Sequence, residues 1–161
     1  MKKEAGKSGR QRARVAPLVR GKLSPKARGD LGELAFELKA ASLGFGVSKP
    51  HGDDERYDFI VDSGKRLWKV QVKSSCRPYR TGYATHGDRG LGIRYKTSEI
   101  DLLVAYILPR DIWYVIPVKR LTTRLVFYPS GCGRRGGQFE CYREAWHLMG
   151  ARPSSPSVQS V

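Results

Sequence analysis

Hydrophobic and polar positions change period along the chain, and the changes mark its elements. From Pro25 to Leu43, the residues Leu31, Leu34, Ala35, Leu38 and Ala41 recur at helical spacing and predict one apolar stripe. Ser24 is placed to cap this helix, Pro25 suits its first turn, and Gly44 suits its stop. Asp30, Glu33 and Glu37 fall on the opposite, polar side. Gly44 to Val47 reads as a short strand or a turn into one. Tyr57 to Asp62 reads as a strand, Ser63-Gly64 as a tight turn, and Lys65 to Lys73 as a second strand. A long segment, Ser74 to Ser98, separates these from two further predicted strands, Asp101 to Leu108 and Ile112 to Val118. Those two join through a turn at Pro109-Arg110-Asp111. Leu121 to Tyr128 is a candidate extension of the sheet, and Glu140 to Met149 a short closing helix stopped by Gly150. This order predicts an α/β fold with an N-terminal helix packed on a mixed central β-sheet.

The second predicted strand alternates. Trp68, Val70 and Val72 point one way, and Lys69, Gln71 and Lys73 the other. With Ser63-Gly64 as a two-residue turn, Asp62 faces Lys65 and Asp58 faces Lys69. Asp58 then shares a face with Lys69, Gln71 and Lys73, and Gln71 is its diagonal neighbour. A three-residue loop would reverse that parity. Hard cations such as Mg²⁺ take oxygen ligands, with waters and substrate phosphate completing the shell. Asp58 offers a carboxylate, Gln71 an amide oxygen, and Val72 an adjacent backbone carbonyl. Lys73 is placed to orient the attacking water or to neutralise charge at a phosphate. A metal with a positioned lysine is what in-line phosphodiester hydrolysis needs.

Charge narrows the partner. Thirty Lys and Arg against fifteen Asp and Glu give a net charge of +15, which favours a polyanion, nucleic acid above all. No basic amphipathic helix serves a membrane surface, no apolar run is long enough to span one, and the basic N-terminus lacks a secretory core. With hydrophobic residues at 40%, the chain can build a core, expected over residues 24–150. Residues 1–23 are dense in Lys and Arg and read as a disordered arm, and 151–161 as a flexible Ser/Pro tail. The three cysteines, Cys76, Cys132 and Cys141, form no CxxC pair and suggest a reducing compartment. With His147 they match no common zinc spacing. Within Ser74 to Ser98, Arg77, Arg80, Arg89, Arg94 and Lys96 alternate with Tyr79, Tyr83 and Tyr95, a pattern suited to phosphate contact and stacking. Gly131 to Gly137, with Arg134 and Arg135, is a second flexible basic candidate. The acidic cluster Asp53-Asp54-Glu55 reads as a turn, and His51, His86 and His147 carry no assigned role.

Three runs together resemble the PD-(D/E)XK endonuclease superfamily: Gly29-Asp30-Leu31-Gly32-Glu33, Arg56-Tyr57-Asp58-Phe59-Ile60-Val61 and Val70-Gln71-Val72-Lys73-Ser74. The later Ile100-Asp101, Val104-Ala105-Tyr106 and Trp113 to Pro117 extend the likeness. It is strongest to the branch of archaeal Holliday-junction resolvases and a bacterial homing endonuclease of group I introns. The resemblance implies a restriction-endonuclease-like core, Mg²⁺ dependence (with Mn²⁺ able to substitute) and DNA cleavage. It places Asp58 as the metal-binding aspartate, Gln71 at the acidic position of the signature, Lys73 as its lysine, and Glu33 as the helix-borne glutamate at the metal. Two positions depart from the pattern. Tyr57 stands where the signature has proline, and Gln71 removes one negative charge from the metal site.

The expectation is therefore a Mg²⁺-dependent DNA endonuclease acting on duplex or branched DNA. Because one domain carries one site, cutting both strands favours a homodimer or homotetramer. A cytoplasmic, nucleoid-associated location follows. No small-molecule substrate is expected. Two other readings share parts of this evidence. The missing acid at Gln71 is compatible with a nuclease-fold DNA-binding protein of weak or absent activity. Charge alone is compatible with a basic RNA-binding protein.

Overall fold

Helix α1 (Pro25–Ser42) starts where the Ser24 hydroxyl accepts the Ala27 N–H at 3.1 Å. It stops where Gly44 adopts φ +84° and its N–H reaches the Ala41 carbonyl at 2.9 Å. Described residues of this computed structural model are 23–52, 54–76, 78–129 and 137–150. All of the expected basic arm but Leu23 lies outside them, as do the Ser/Pro tail, Asp53, Arg77, Cys132, Arg134 and Arg135.

After α1 come β1 (Gly46–Ser48), β2 (Phe59–Asp62), β3 (Leu67–Ser75), β4 (Pro78–Tyr79), β5 (Gly82–His86), β6 (Leu102–Ile107), β7 (Ile112–Pro117) and β8 (Arg124–Phe127). Five strands form a mixed sheet in the order β1-β2-β3-β6-β7, and the β3–β6 pair is parallel. Strands β4, β5 and β8 form a separate sheet. The stretch after β3 is thus partly a hairpin rather than a plain connection. Arg124 to Phe127 does not extend the main sheet as expected; it pairs with β5, from Tyr83↔Phe127 to His86↔Arg124. The closing helix expected over Glu140–Met149 takes the form of two short 3₁₀ turns, Glu140–Tyr142 and Trp146–Met149. The αL conformation of Glu144 lies between them, at φ +48°.

Both faces of the main sheet are covered, so β6 is buried along its whole length. On one face, Phe36 and Ala40 of α1 pack with Phe59, Val61, Val70, Val72, Trp113 and Trp146. Phe36 is their hub, with ring centroids 5.0 Å from Phe59 and 6.3 Å from both Trp113 and Trp146. On the other face, Leu103, Ala105, Tyr114 and Ile116 meet Leu125 and Phe127 of β8.

The buried line of α1 differs from the expected stripe. Gly32, Phe36 and Ala40 face the sheet, whereas Leu34 and Leu38 are 65% and 74% exposed. Gly32 is the reason the helix comes so close. A Cβ there would lie 2.8 Å from Ser74 Cβ, and the Ser74 hydroxyl donates to the Arg28 carbonyl at 2.9 Å. Gly32→Ala sets a helix-propensity gain of about 1 kcal/mol against an overpacking cost of about 1–3 kcal/mol. The clash is carbon on carbon beside two backbones, so the cost wins. The variant is expected to lose up to about 2 kcal/mol of stability, read as a lower urea midpoint at unchanged slope. A midpoint equal to or above wild type would show that the helix and β3 separate easily.

Candidate active site

The β2–β3 hairpin carries the chemistry-bearing residues, and its loop is longer than expected. Ser63 to Arg66 form a four-residue loop, since Asp62 pairs with Leu67. Gly64 sits at φ +74° and donates to Asp62 Oδ1 at 2.7 Å; Ser63 and Arg66 bond across the loop. Relative to a two-residue turn, the register slides by two positions, which preserves parity. Asp58 still shares the face of Gln71 and Lys73. Asp58 lies just before the last pair of the ladder, Phe59↔Val70, and reaches Gln71 through its side chain.

Asp58 also ends the ladder. Its N–H bonds the Val70 carbonyl at 2.9 Å, and its Oδ2 accepts the Val72 N–H at 2.7 Å and the Gln71 Nε2–H at 2.6 Å. A side-chain carboxylate thus does what the next backbone carbonyl of β2 would have done. The result is a carboxylate fixed to β3 by two hydrogen bonds. Burial pushes the Asp58 carboxyl above its usual range, and the Glu33 carboxylate pushes the same way. The Val72 N–H, the Lys73 ammonium and the Gln71 amide oppose that rise without cancelling it.

Glu33 and Asp58 line one cleft of about 350 Å³, with Lys26, Asp30, Lys49 and Glu55 at its rim. Helix α1 delivers Glu33 from one side, through the close Gly32 contact, and the hairpin delivers Asp58 from the other. Glu33 Oε2 is bonded to Lys49 Nζ at 2.7 Å, and that bond holds the Lys49 ammonium above its usual value. Gln71 and Lys73 follow along β3. Lys73 lines a second groove of about 460 Å³ with His86, Arg89, Leu91 and Thr123. The Asp58–Gln71–Lys73 face therefore lies between an acidic cleft and a basic groove.

Of the basic segment, Arg89 lines that groove. Arg80 is exposed at the β4–β5 turn, in the αL region at φ +53° and 5.7 Å from the Tyr79 ring. Arg94 and Lys96 are exposed. Arg89 is not free: it pairs with Glu99 at 2.7 Å, and Glu99 also accepts the Lys96 N–H at 2.8 Å. Arg77 falls outside the described residues.

Two contributors escaped the sequence reading. Lys49 had no local signal, because only the tertiary fold brings the end of β1 over α1. In the sequence Tyr95 is only one of several tyrosines interleaved with the basic residues. Burial, then the Asp58 and Asp88 carboxylates, push its phenol up to about 12, so it stays a neutral hydrogen-bond donor near Asp58. Asp101 has a supporting part. Its carboxylate accepts the Lys69 N–H at 2.9 Å and pairs with Arg66 at 2.8 Å, tying the start of β3 to β6.

The donor chemistry fits a hard divalent cation. Two carboxylates, Glu33 and Asp58, share the cleft, Gln71 lies against Asp58 with its Nε2–H toward the carboxylate, and the raised Asp58 carboxyl is one that a cation would relieve. Among the described residues no cluster of three or more His, Cys, Asp or Glu side chains could hold a metal. The set therefore suits an ion that keeps several waters rather than an all-protein cage. No described helix is long and apolar enough to cross a membrane.

These features define a nuclease-type fold, and residues 23–148 match the PD-(D/E)XK endonuclease family. The chain belongs to that family. Its structure is similar to that of the bacterial homing endonuclease I-Ssp6803I, at 33% identity and a TM-score of 0.71, covering 78% of this chain and 93% of that one. It also matches Hjc of Archaeoglobus fulgidus, a Holliday junction resolvase, at 16% identity and a TM-score of 0.47, covering 77% of this chain and 97% of that one. A comparison with curated proteins gives no match.

Proposed function

We propose that this protein is a Mg²⁺-dependent DNA endonuclease whose site is the Asp58–Gln71–Lys73 face of β3, completed by Glu33. The observation that carries this reading is the Asp58 carboxylate, pinned by the Val72 N–H beside Gln71 and raised by burial and Glu33. The likeness to a homing endonuclease at 33% identity supports DNA as the substrate. So does a net charge of +15.

A bound divalent cation would supply Lewis-acid stabilisation and a more acidic water. Asp58 and Glu33 would hold it through carboxylate oxygens and Gln71 through Oε1, since Nε2 is engaged with Asp58. Lys73 places a positive charge beside the scissile phosphate and orients the attacking water. Lys49, bonded to Glu33, is a resident counter-charge that a cation must displace. Tyr95 remains protonated and offers a donor close to Asp58. Arg80, Arg94 and Lys96 supply phosphate contacts along the groove; Arg89 positions its loop through Glu99. With one such site per chain, cleavage of both strands calls for a homodimer or homotetramer. The setting for such an enzyme is the cytoplasm, where its DNA is.

Supercoiled plasmid tests this. With Mg²⁺ or Mn²⁺ the wild type is expected to nick or linearise it, and Lys73→Ala to fall by at least about 100-fold. Wild type that binds plasmid without cutting would sink the enzymatic reading. It would favour the DNA-binding protein that Gln71 allows, with one carboxylate fewer than the signature. Gln71→Glu, which restores that charge, is then the variant expected to cut.

A further inference from the structure

The most anomalous side chain of the described surface is Leu91. It is 100% exposed, and Ile93 beside it is 50% exposed. An apolar side chain gains nothing from that position in the free protein. Its backbone is also unfavourable: Leu91 has φ +52°, between Gly90 at +99° and Gly92 at +77°. A leucine in the αL region costs energy that a glycine would not. The flanking positions are glycine and this one is not.

The loop is built to hold that tip outward. Asp88 and Arg94 form an isolated bridge at its base. The Arg89 N–H meets the Ile93 carbonyl at 2.8 Å, and the Ile93 N–H meets the Gly90 carbonyl at 3.0 Å. Buried Asp88 accepts the Gly90 N–H at 3.2 Å, and the Arg89–Glu99 pair anchors the stem at 2.7 Å. Leu91 and Gly90 line the groove of Lys73, together with His86 and Thr123. Exposed Arg94 and Lys96 follow the tip in sequence. A duplex drawn to Lys73 in this groove would therefore meet Leu91.

We propose that Leu91 is a wedge that enters the bound duplex and unstacks a base step next to the phosphate facing Lys73. This rests on the nuclease reading above and adds a distortion of the DNA to it. Apolar side chains inserted between base steps kink a duplex and expose its backbone. Here the result is a locally opened phosphate at the site. The strained leucine is offset only once DNA covers it.

The test uses a 30-base-pair duplex in which 2-aminopurine replaces every adenine of one strand, without divalent metal so that nothing is cut. Saturation is followed by anisotropy. Wild type is expected to raise 2-aminopurine fluorescence on binding, and Asp58→Asn to do the same. Leu91→Gly, which removes the strain and so melts no lower, is expected to lose most of that rise and to bind on the order of ten-fold more weakly. If Leu91→Gly raises fluorescence as wild type does, the wedge is wrong, even where cleavage is confirmed. If wild type and Asp58→Asn unstack the duplex yet plasmid is never cut, the wedge stands and the nuclease reading fails. Light scattering of the free protein separates the remaining possibility: a smaller oligomer in Leu91→Gly would make the tip a contact between copies and overturn the proposal.

Discussion

Asp58→Asn is expected to abolish metal-dependent plasmid cleavage, by at least about 10³-fold, while raising the melting temperature of the metal-free protein at neutral pH. The two effects share one cause. Burial and Glu33 disfavour the Asp58 carboxylate, so the folded protein holds that proton more tightly than the unfolded chain. The associated stability is fully present below the ordinary aspartate pKa and is lost as pH rises through the raised value. Asparagine keeps an oxygen for the Val72 N–H and the Gln71 amide, and discards the charge. Its stabilising effect should therefore be visible at pH 7 and vanish below about pH 4. Mg²⁺ should raise the melting temperature of wild type by mass action and leave the variant unmoved. Cleavage by wild type should itself rise with pH as Asp58 ionises. A variant that melts like wild type at every pH and still responds to Mg²⁺ would mark Asp58 as an ordinary solvated carboxylate.

Phe36→Ala is expected to cost about 3–5 kcal/mol, a large share of a typical domain's stability. Phe36 is fully buried and is the one helix side chain that reaches Phe59, Trp113 and Trp146 together. None of those rings can collapse into the space, because each is held by its own strand or turn. The loss corresponds to a fall in melting temperature of roughly 10–20 °C, measured by near-ultraviolet circular dichroism or calorimetry. Since α1 carries Glu33, cleavage should decline in step with the folded fraction. A fall under about 1 kcal/mol would mean that the helix is held by something other than this aromatic cluster.

Much of the fold was readable because its strongest signals are local. The Val-rich alternation of β3 and the capping of α1 by Ser24 and Gly44 follow from single-element physics. The shared face of Asp58, Gln71 and Lys73 survived an error in the turn, because loops of two and four residues keep the same parity. The helix stripe was misread for an instructive reason. Apolarity pointed to Leu34 and Leu38, but backbone approach decides which side meets the sheet, and a glycine marks it. Gly32 carries no hydrophobic weight and so contributed nothing to the pattern. The second sheet was not legible either, since β4 has two residues and Gly82-Tyr83-Ala84-Thr85-His86 does not alternate cleanly. Nor could spacing reveal the Lys49–Glu33 pair or the Arg89–Glu99 pair, since tertiary folding creates the first and a folded loop the second.

The bond from Val72 N–H to the Asp58 side chain has a consequence for how this scaffold can change. Because the carboxylate closes the ladder, residues 49–52 and 54–57 make no strand pairing. Such a segment accepts insertions at low entropic cost. It is also one lip of the cleft that holds Glu33 and Asp58. Apart from Lys49, which pairs with Glu33, and Tyr57, which packs on the core, length and sequence there can drift or be exchanged while β3 keeps its register. The scaffold thus separates a part that must be inherited intact from a neighbouring part that is free to change.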